Sequence, residues 1–276
     1  MEGSILLGAG VVIAAIIAVR VAHGTGLPSL LIYLALGLLL GPGGLGIVFQ
    51  NAGLAREIGL IALAVILAEG GLTTNWRLVR PAVPVAVVLA TVGVGVSVVA
   101  LAACVVVPLG MDWRLALLLG AVLASTDAAA VFSVLRRLPL PPRLSGVLEA
   151  ESGFNDAPAV IIVAALSTAG AAEAEGQVGG QIVDMVLDVL LELAIGAAVG
   201  LVVGPLAAFA LRRIALPASG LYPLAVFSVA LAAYSGATLA HGSGFLAVYL
   251  AGLVLGNARL PHRAATKGFA EGAAWL

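Results

Sequence analysis

Nine apolar runs follow one another between residues 5 and 257. Each is long enough to cross about 30 Å of hydrocarbon at about 1.5 Å of rise per residue, allowing for tilt. The sequence places them at 5–22, 28–48, 54–71, 81–107, 112–135, 146–170, 183–211, 221–238 and 241–257, and Lys267–Leu276 reads as the start of a tenth. In hydrocarbon every backbone amide must be satisfied internally, so uninterrupted runs of this kind become helices. The expected class is an all-α polytopic membrane protein. Residues that are 62% hydrophobic and 10% charged, with 35 glycines, suit close-packed membrane helices and exclude a soluble core of this size. Glu2, rather than a basic cluster, precedes Ile5–Val19, so this run reads as the first span and not as a secretory signal.

Charge sets the orientation. With the N-terminus outside, Arg20, Arg77, Arg80, Arg136, Arg137, Arg143, Arg212, Arg213, Arg259, Arg263 and Lys267 fall at cytoplasmic ends, against only Arg56 and Arg114 outside. That distribution follows the positive-inside bias and places the chain in the cell (inner) membrane. The net charge of −1 gives no nucleic-acid footprint. The single cysteine, Cys104, cannot form an intrachain disulfide and reads as a packing residue.

A repeat adds a topological clue. Tyr33-Leu-Ala-Leu-Gly37-Leu-Leu-Leu-Gly41 echoes Tyr249-Leu-Ala-Gly252-Leu-Val-Leu-Gly256, with the paired glycines 215 residues apart. The charge count points these two helices in opposite directions, as in the inverted repeats of secondary transporters. Chance similarity in a Leu/Gly/Ala-rich chain is the plainer alternative. If the repeat is genuine, the counterpart of Asp127 belongs near position 342, and most of the second repeat lies beyond Leu276.

Two carboxylates fall deep in the bilayer. Asp127, in Ser125-Thr126-Asp127-Ala-Ala-Ala-Val131, stands eight residues from the inner end of its run, and Asp156, in Glu151-Ser152-Gly153-Phe154-Asn155-Asp156-Ala157-Pro158, about ten from the start of the next. At about 1.5 Å per residue both reach a depth of roughly 12–15 Å. An ionised carboxylate there costs several kcal/mol unless it is paired, hydrated or bound to a cation. Pro158 cannot donate an amide hydrogen to the Phe154 carbonyl, which frees an oxygen in the same region. Oxygen ligands at the midplane suit an alkali cation, and a desolvated carboxylate can exchange that ion for a proton. The competing reading is a channel-like or structural membrane protein whose buried acids stabilise helix packing.

Other polar positions divide less cleanly. Glu69, beside Gly70 and Gly71, reads as a surface anchor or an accessory to the site. Asp184, Asp188 and Glu192 form an i, i+4, i+8 stripe that either lines an external vestibule or faces solvent and partner protomers. His23 and His262 read as surface residues, and His241 begins a span. No cluster has zinc-ligand spacing, no phosphate-cradling loop is present, and no cofactor is expected; the only metal in this reading is the transported alkali cation.

Ser125-Thr126-Asp127-Ala-Ala-Ala-Val131-Phe132, Glu151-Ser-Gly-Phe-Asn155-Asp156 and Ala68-Glu69-Gly70-Gly71-Leu72 together make the chain similar, over essentially its whole length, to the monovalent cation:proton antiporter family of bacterial sodium/proton exchangers. It most resembles the branch of the cell-volume-regulation potassium/proton antiporters. The resemblance implies an inverted-repeat Na+/H+ antiporter-like fold, here with an incomplete second repeat, forming a homodimer in the complete protein. It implies secondary active exchange of K+ or Na+ against H+, electroneutral because Asn155 precedes Asp156, and not an enzymatic reaction. Asp156 corresponds to the aspartate that carries ion and proton. Thr126 and Asp127 correspond to an unwound crossing, Ser152 lies near ion-ligand positions, and Glu151 matches a carboxylate that ordinarily pairs with a late arginine. Two departures stand out: Ala157 separates Asp156 from Pro158, and no such arginine follows Asp156 in a span of this chain.

Overall fold

The computed structural model describes residues 2–25, 29–47, 50–126, 141, 144, 147–148, 151, 154–155, 158–163, 165–167 and 181–274. Regular structure among the described residues is helical. Helices α1 (Glu2–Thr25) and α2 (Ser29–Leu40) lead into α3 (Ala52–Thr73) and a single turn, α4 (Trp76–Val79). Helix α5 (Val83–Leu109) passes through a π-helical turn at Leu89–Gly93 and is followed by α6 (Trp113–Ala124). Helix α7 (Pro158–Ser167) precedes α8 (Gln181–Arg213), α9 (Leu221–Leu239), α10 (Gly244–Asn257) and α11 (Arg263–Ala274).

Local chemistry sets the helix ends. The Asn51 side chain accepts from the Leu54 amide to start α3, Asp112 accepts from Arg114 and Leu115 to start α6, and Ser243 accepts from Leu246 to start α10. Each side-chain oxygen satisfies an amide that would otherwise lack a partner in lipid. Helix α10 therefore begins at Gly244, after a turn in which His241 holds a left-handed φ of 58°. The apolar run at 241–257 hides this boundary because a capped turn of small residues is itself apolar.

Three helices, Val83–Leu109, Leu187–Arg213 and Leu221–Leu239, are long and apolar enough to cross a membrane. Their outward leucines and valines, such as Val107, Leu206 and Leu239, are exposed, as residues facing acyl chains must be. The protein is a multi-pass membrane protein.

Helix α10 is the centre of the packing, with Phe245, Val248, Tyr249, Leu253 and Leu255 buried. It lies against α3 on one face, α8 on another and α9 on a third. Glycine makes the closest crossing possible: a Cβ at Gly252 would stand 2.8 Å from the Ala68 carbonyl oxygen, and one at Gly256 would overlap the Leu72 backbone. Gly196, Gly200 and Gly204 of α8 approach Ser243, Ala247 and Val254 of α10 in the same rising order. Rising order on both faces means that α3, α8 and α10 run parallel. Their C-terminal ends, with Arg77, Arg80, Arg212, Arg213 and Arg259 at or just beyond them, therefore lie on one side of the bundle.

Candidate functional site

Helix α6 stops abruptly. Ser125, its C-terminal cap, is extended (φ −72°, ψ 135°), so the helix ends at Ala124, directly before Thr126. Twelve residues of helix rise only about 18 Å, little more than half of the hydrocarbon thickness. The chain thus leaves helical geometry inside the bundle, where freed backbone groups are tolerated only if protein or a lined cavity receives them.

Asn155 meets this break. Its side chain is fully buried. The Asn155 Nδ2 donates to Thr126 Oγ1 at 2.5 Å and to Glu151 Oε1 at 2.9 Å, the latter one helical turn away on the same face. With the amide nitrogen donating to both Thr126 and Glu151, the Asn155 oxygen points elsewhere. That oxygen, Asn155 Oδ1, is buried and has no hydrogen-bond partner among the described residues. A buried acceptor left unmet costs about 1–3 kcal/mol, which makes it the electrically open position of this cluster.

The segments that carry this cluster are fastened at their far ends too. Arg114, in the first turn of α6, donates from Nε and Nη2 to the Leu166 carbonyl (2.9 and 2.8 Å) and from Nη2 to that of Ser167 (3.3 Å). Hydrogen bonds from a charged guanidinium are about twice as strong as neutral ones, so Arg114 holds this stretch of α7 firmly. Twelve residues separate Arg114 from Thr126 and eleven separate Asn155 from Leu166, as an antiparallel pair in constant register requires. Sequence reading treated Arg114 only as an outside charge, and a partner 52 positions away leaves no local signal.

Phe154 docks the cluster on the central helix. Its ring meets Tyr249 of α10 edge-on at 5.5 Å, and Tyr249 in turn lies 3.9 Å from where a Gly70 Cβ would stand on α3. Glu69 is half-buried on that same stretch of α3, which continues to Thr73. Asn257, at the end of α10, ties the α3–α4 turn: its Nδ2 donates to the Thr74 and Leu253 carbonyls (2.9 and 2.8 Å), and its Oδ1 accepts from the Trp76 amide at 3.0 Å.

The structure thus brings Thr126, Glu151 and Asn155 together and places Pro158 buried in α7. Asp127, Ser152 and Asp156 lie outside the described residues. The acidic stripe is elsewhere, on α8: Asp188 is exposed and Glu192 half-buried, with Asp188 and His241 as its ionisable neighbours, while the Asp184 side chain lies outside the described set. No group of three or more His, Cys, Asp or Glu among the described residues is arranged to hold a metal ion.

A family model described as the transmembrane sodium/hydrogen exchanger matches residues 11–274. The chain belongs to the sodium/hydrogen exchanger family. It is 39% identical over 266 residues to the K(+)/H(+) antiporter NhaP of Alkalimonas amylolytica, covering 95% of this chain and 45% of that one. It is 34% identical over 276 residues to a K(+)/H(+) antiporter of Shewanella oneidensis, covering 98% and 47%. The exchanger chain described here therefore spans about half the length of these curated relatives. Two structures of a sodium proton antiporter from Methanocaldococcus jannaschii share its fold, with TM-scores of 0.78 and 0.73 at 22% and 23% identity, covering 99% of this chain and 66% and 68% of theirs. The all-α, inverted-repeat-like architecture of exchangers is thus the fold of this chain.

Proposed function

We propose that this exchanger moves a monovalent alkali cation, K+ or Na+, against H+ by alternating access, with Asp156 as the carboxylate for which both cargoes compete. The exchange is one for one, since an amide and not a second acid precedes the carrier. Asn155 is the observation on which the reading rests: it is fully buried, both of its donor hydrogens are committed to Thr126 and Glu151, and its carbonyl oxygen is unmet among the described residues, one position before Asp156 in the sequence. A neutral oxygen held that rigidly can share a dehydrated cation with a carboxylate, and it loses its partner again when a proton takes the cation's place. Thr126, Ser152 and Asp127 supply further oxygen at the break in α6, and Glu151 orients Asn155.

The long K(+)/H(+) antiporter matches favour K+ as the cation; the similarity to a Na(+)/H(+) antiporter of Aphanothece halophytica, 36% identical, extends over 43% of this chain. The protein sits in the inner membrane with its N-terminus outside, and the exchanger domain over 1–276 forms part of a homodimer in the complete protein.

The test is a proteoliposome assay with an internal pH dye, titrating K+ and Na+ separately. Saturable cation-driven proton movement that is lost in Asp156→Asn supports the reading. Unchanged proton movement in a folded Asp156→Asn variant refutes it.

A further inference from the structure

A cavity of about 880 Å³ opens between α5, α8 and α10, with Phe154 and Pro158 also in its lining. Its α8 wall is a single helix face: Ala194, Ala197, Leu201, Pro205 and Ala208 recur at intervals of three and four, and the series ends at Arg212. The α10 wall runs from Leu246 to Asn257 and finishes at the same end, where Trp76 also reaches the cavity. The lining is mostly apolar, and Arg212 at the mouth is its only charged residue among the described residues. Arg213, next in sequence, is engaged over the Phe209 ring at 4.5 Å, whereas Arg212 is exposed and makes no ion pair among the described residues.

We infer that this cavity binds one acyl chain of an anionic phospholipid, whose phosphate pairs with Arg212 at the membrane surface. Three features fit that occupant. The distance along α10 from Asn257 to Leu246, eleven residues, is about 16 Å, close to the depth of one leaflet of an approximately 30 Å hydrocarbon core. The volume lies within the roughly 300–1,000 Å³ of pockets that bury a small organic ligand, room enough for one acyl chain. A cation and an interfacial tryptophan at the mouth match a phosphate and its glycerol, and a guanidinium binds phosphate in bidentate fashion. The chain end would rest against Phe154 and Pro158, on either side of Asn155 and Asp156, so lipid occupancy would bear on the exchanger's site while remaining independent of which cation it carries.

Trp76 supplies the probe. The protein has three tryptophans, and Trp113→Phe with Trp275→Phe leaves Trp76 as the reporter. In neutral detergent micelles, phosphatidylglycerol with brominated acyl chains is expected to quench Trp76 saturably, with half-saturation about fivefold below that of brominated phosphatidylcholine, the factor that about 1 kcal/mol per basic residue supplies. Arg212→Gln should erase the preference and leave the quenching. Ala197→Phe should fill the cavity and abolish the saturable component. Leu201→Phe is a second filling variant should the first not fold. Equal, unsaturable quenching by both lipids identifies ordinary surrounding lipid and overturns the proposal. So does saturable quenching that persists in a folded filled variant, or a Trp76 shielded in a dimer or by another segment of the polypeptide and unresponsive to either lipid.

Discussion

Replacing Asn155 with alanine separates a packing role from a cation-binding one. In a buffer of choline salt the variant loses a hydrogen bond to Thr126, about 1 kcal/mol, and a charge-assisted one to Glu151, about 1.5 kcal/mol at the low end because Glu151 is half-exposed. It also removes the unmet Oδ1 and regains about 1 kcal/mol, leaving a net loss of roughly 1.5 kcal/mol. Alkali cation changes the comparison. At one hundred times its dissociation constant a cation that binds only the folded state stabilises the native protein by about 2.7 kcal/mol. If the Oδ1 is a ligand worth a factor of ten, the same concentration stabilises the variant by only about 1.4 kcal/mol. In thermal unfolding the native protein should gain about 5–11 °C from K+ or Na+ over choline, and the variant about half of that, at about 2–4 °C per kcal/mol. Measuring both proteins in detergent by intrinsic fluorescence, with choline as the reference ion, decides the matter. A cation shift of full size in Asn155→Ala would mean that the buried oxygen touches no ion, and the reasoning about this site would fail with it.

Further outcomes follow from the packing. Gly256→Ala places a Cβ into the Leu72 backbone and should cost about 1–3 kcal/mol, whereas Gly268→Ala, in open space on α11, should stabilise by up to about 1 kcal/mol; paired thermal melts test the opposite signs. Arg114→Leu leaves the Leu166 and Ser167 carbonyls without their charged donor, and should speed amide hydrogen exchange across α7 while costing about 1.5–3 kcal/mol. His241→Gly relieves a left-handed residue at φ 58° and should raise the melting temperature by an amount corresponding to about 1 kcal/mol; an unchanged or lower midpoint would show that the imidazole's contacts outweigh the strain.

Much of this was open to reading from the residues. Helical class followed from apolar run length, and exchanger membership from three short motifs whose polar residues have no business in hydrocarbon unless something binds them. Thr126 and Asn155 enter through the resemblance that those motifs carry, and the structure puts them in direct contact. The roles of Arg114 and Asn257 were not open to such reading. Their partners are backbone groups 52 and as many as 183 positions away, and a carbonyl carries no side-chain identity by which a sequence could announce the pairing. Helix ends failed for a related reason: the Ser243 cap and the His241 turn interrupt an apolar run without interrupting its hydropathy.

Parallel packing adds a constraint that charge counting alone does not contain. Gly196, Gly200 and Gly204 meet α10 in rising order, and Ala68 and Leu72 meet Gly252 and Gly256 likewise, so α3, α8 and α10 must cross the membrane in the same direction. Between two parallel crossings the chain must cross an odd number of times. One helix, α9, stands between α8 and α10, and between α3 and α8 stand α5, the broken segment begun by α6, and the segment that ends in α7. Parity alone is met whether α6 and α7 belong to two full crossings or to a pair that enters and returns on one side, because Arg114 holds the start of α6 beside Leu166. Either way the helix ends at Ala124, inside the bundle, and the buried amide of Asn155 meets the chain at Thr126, just past that break.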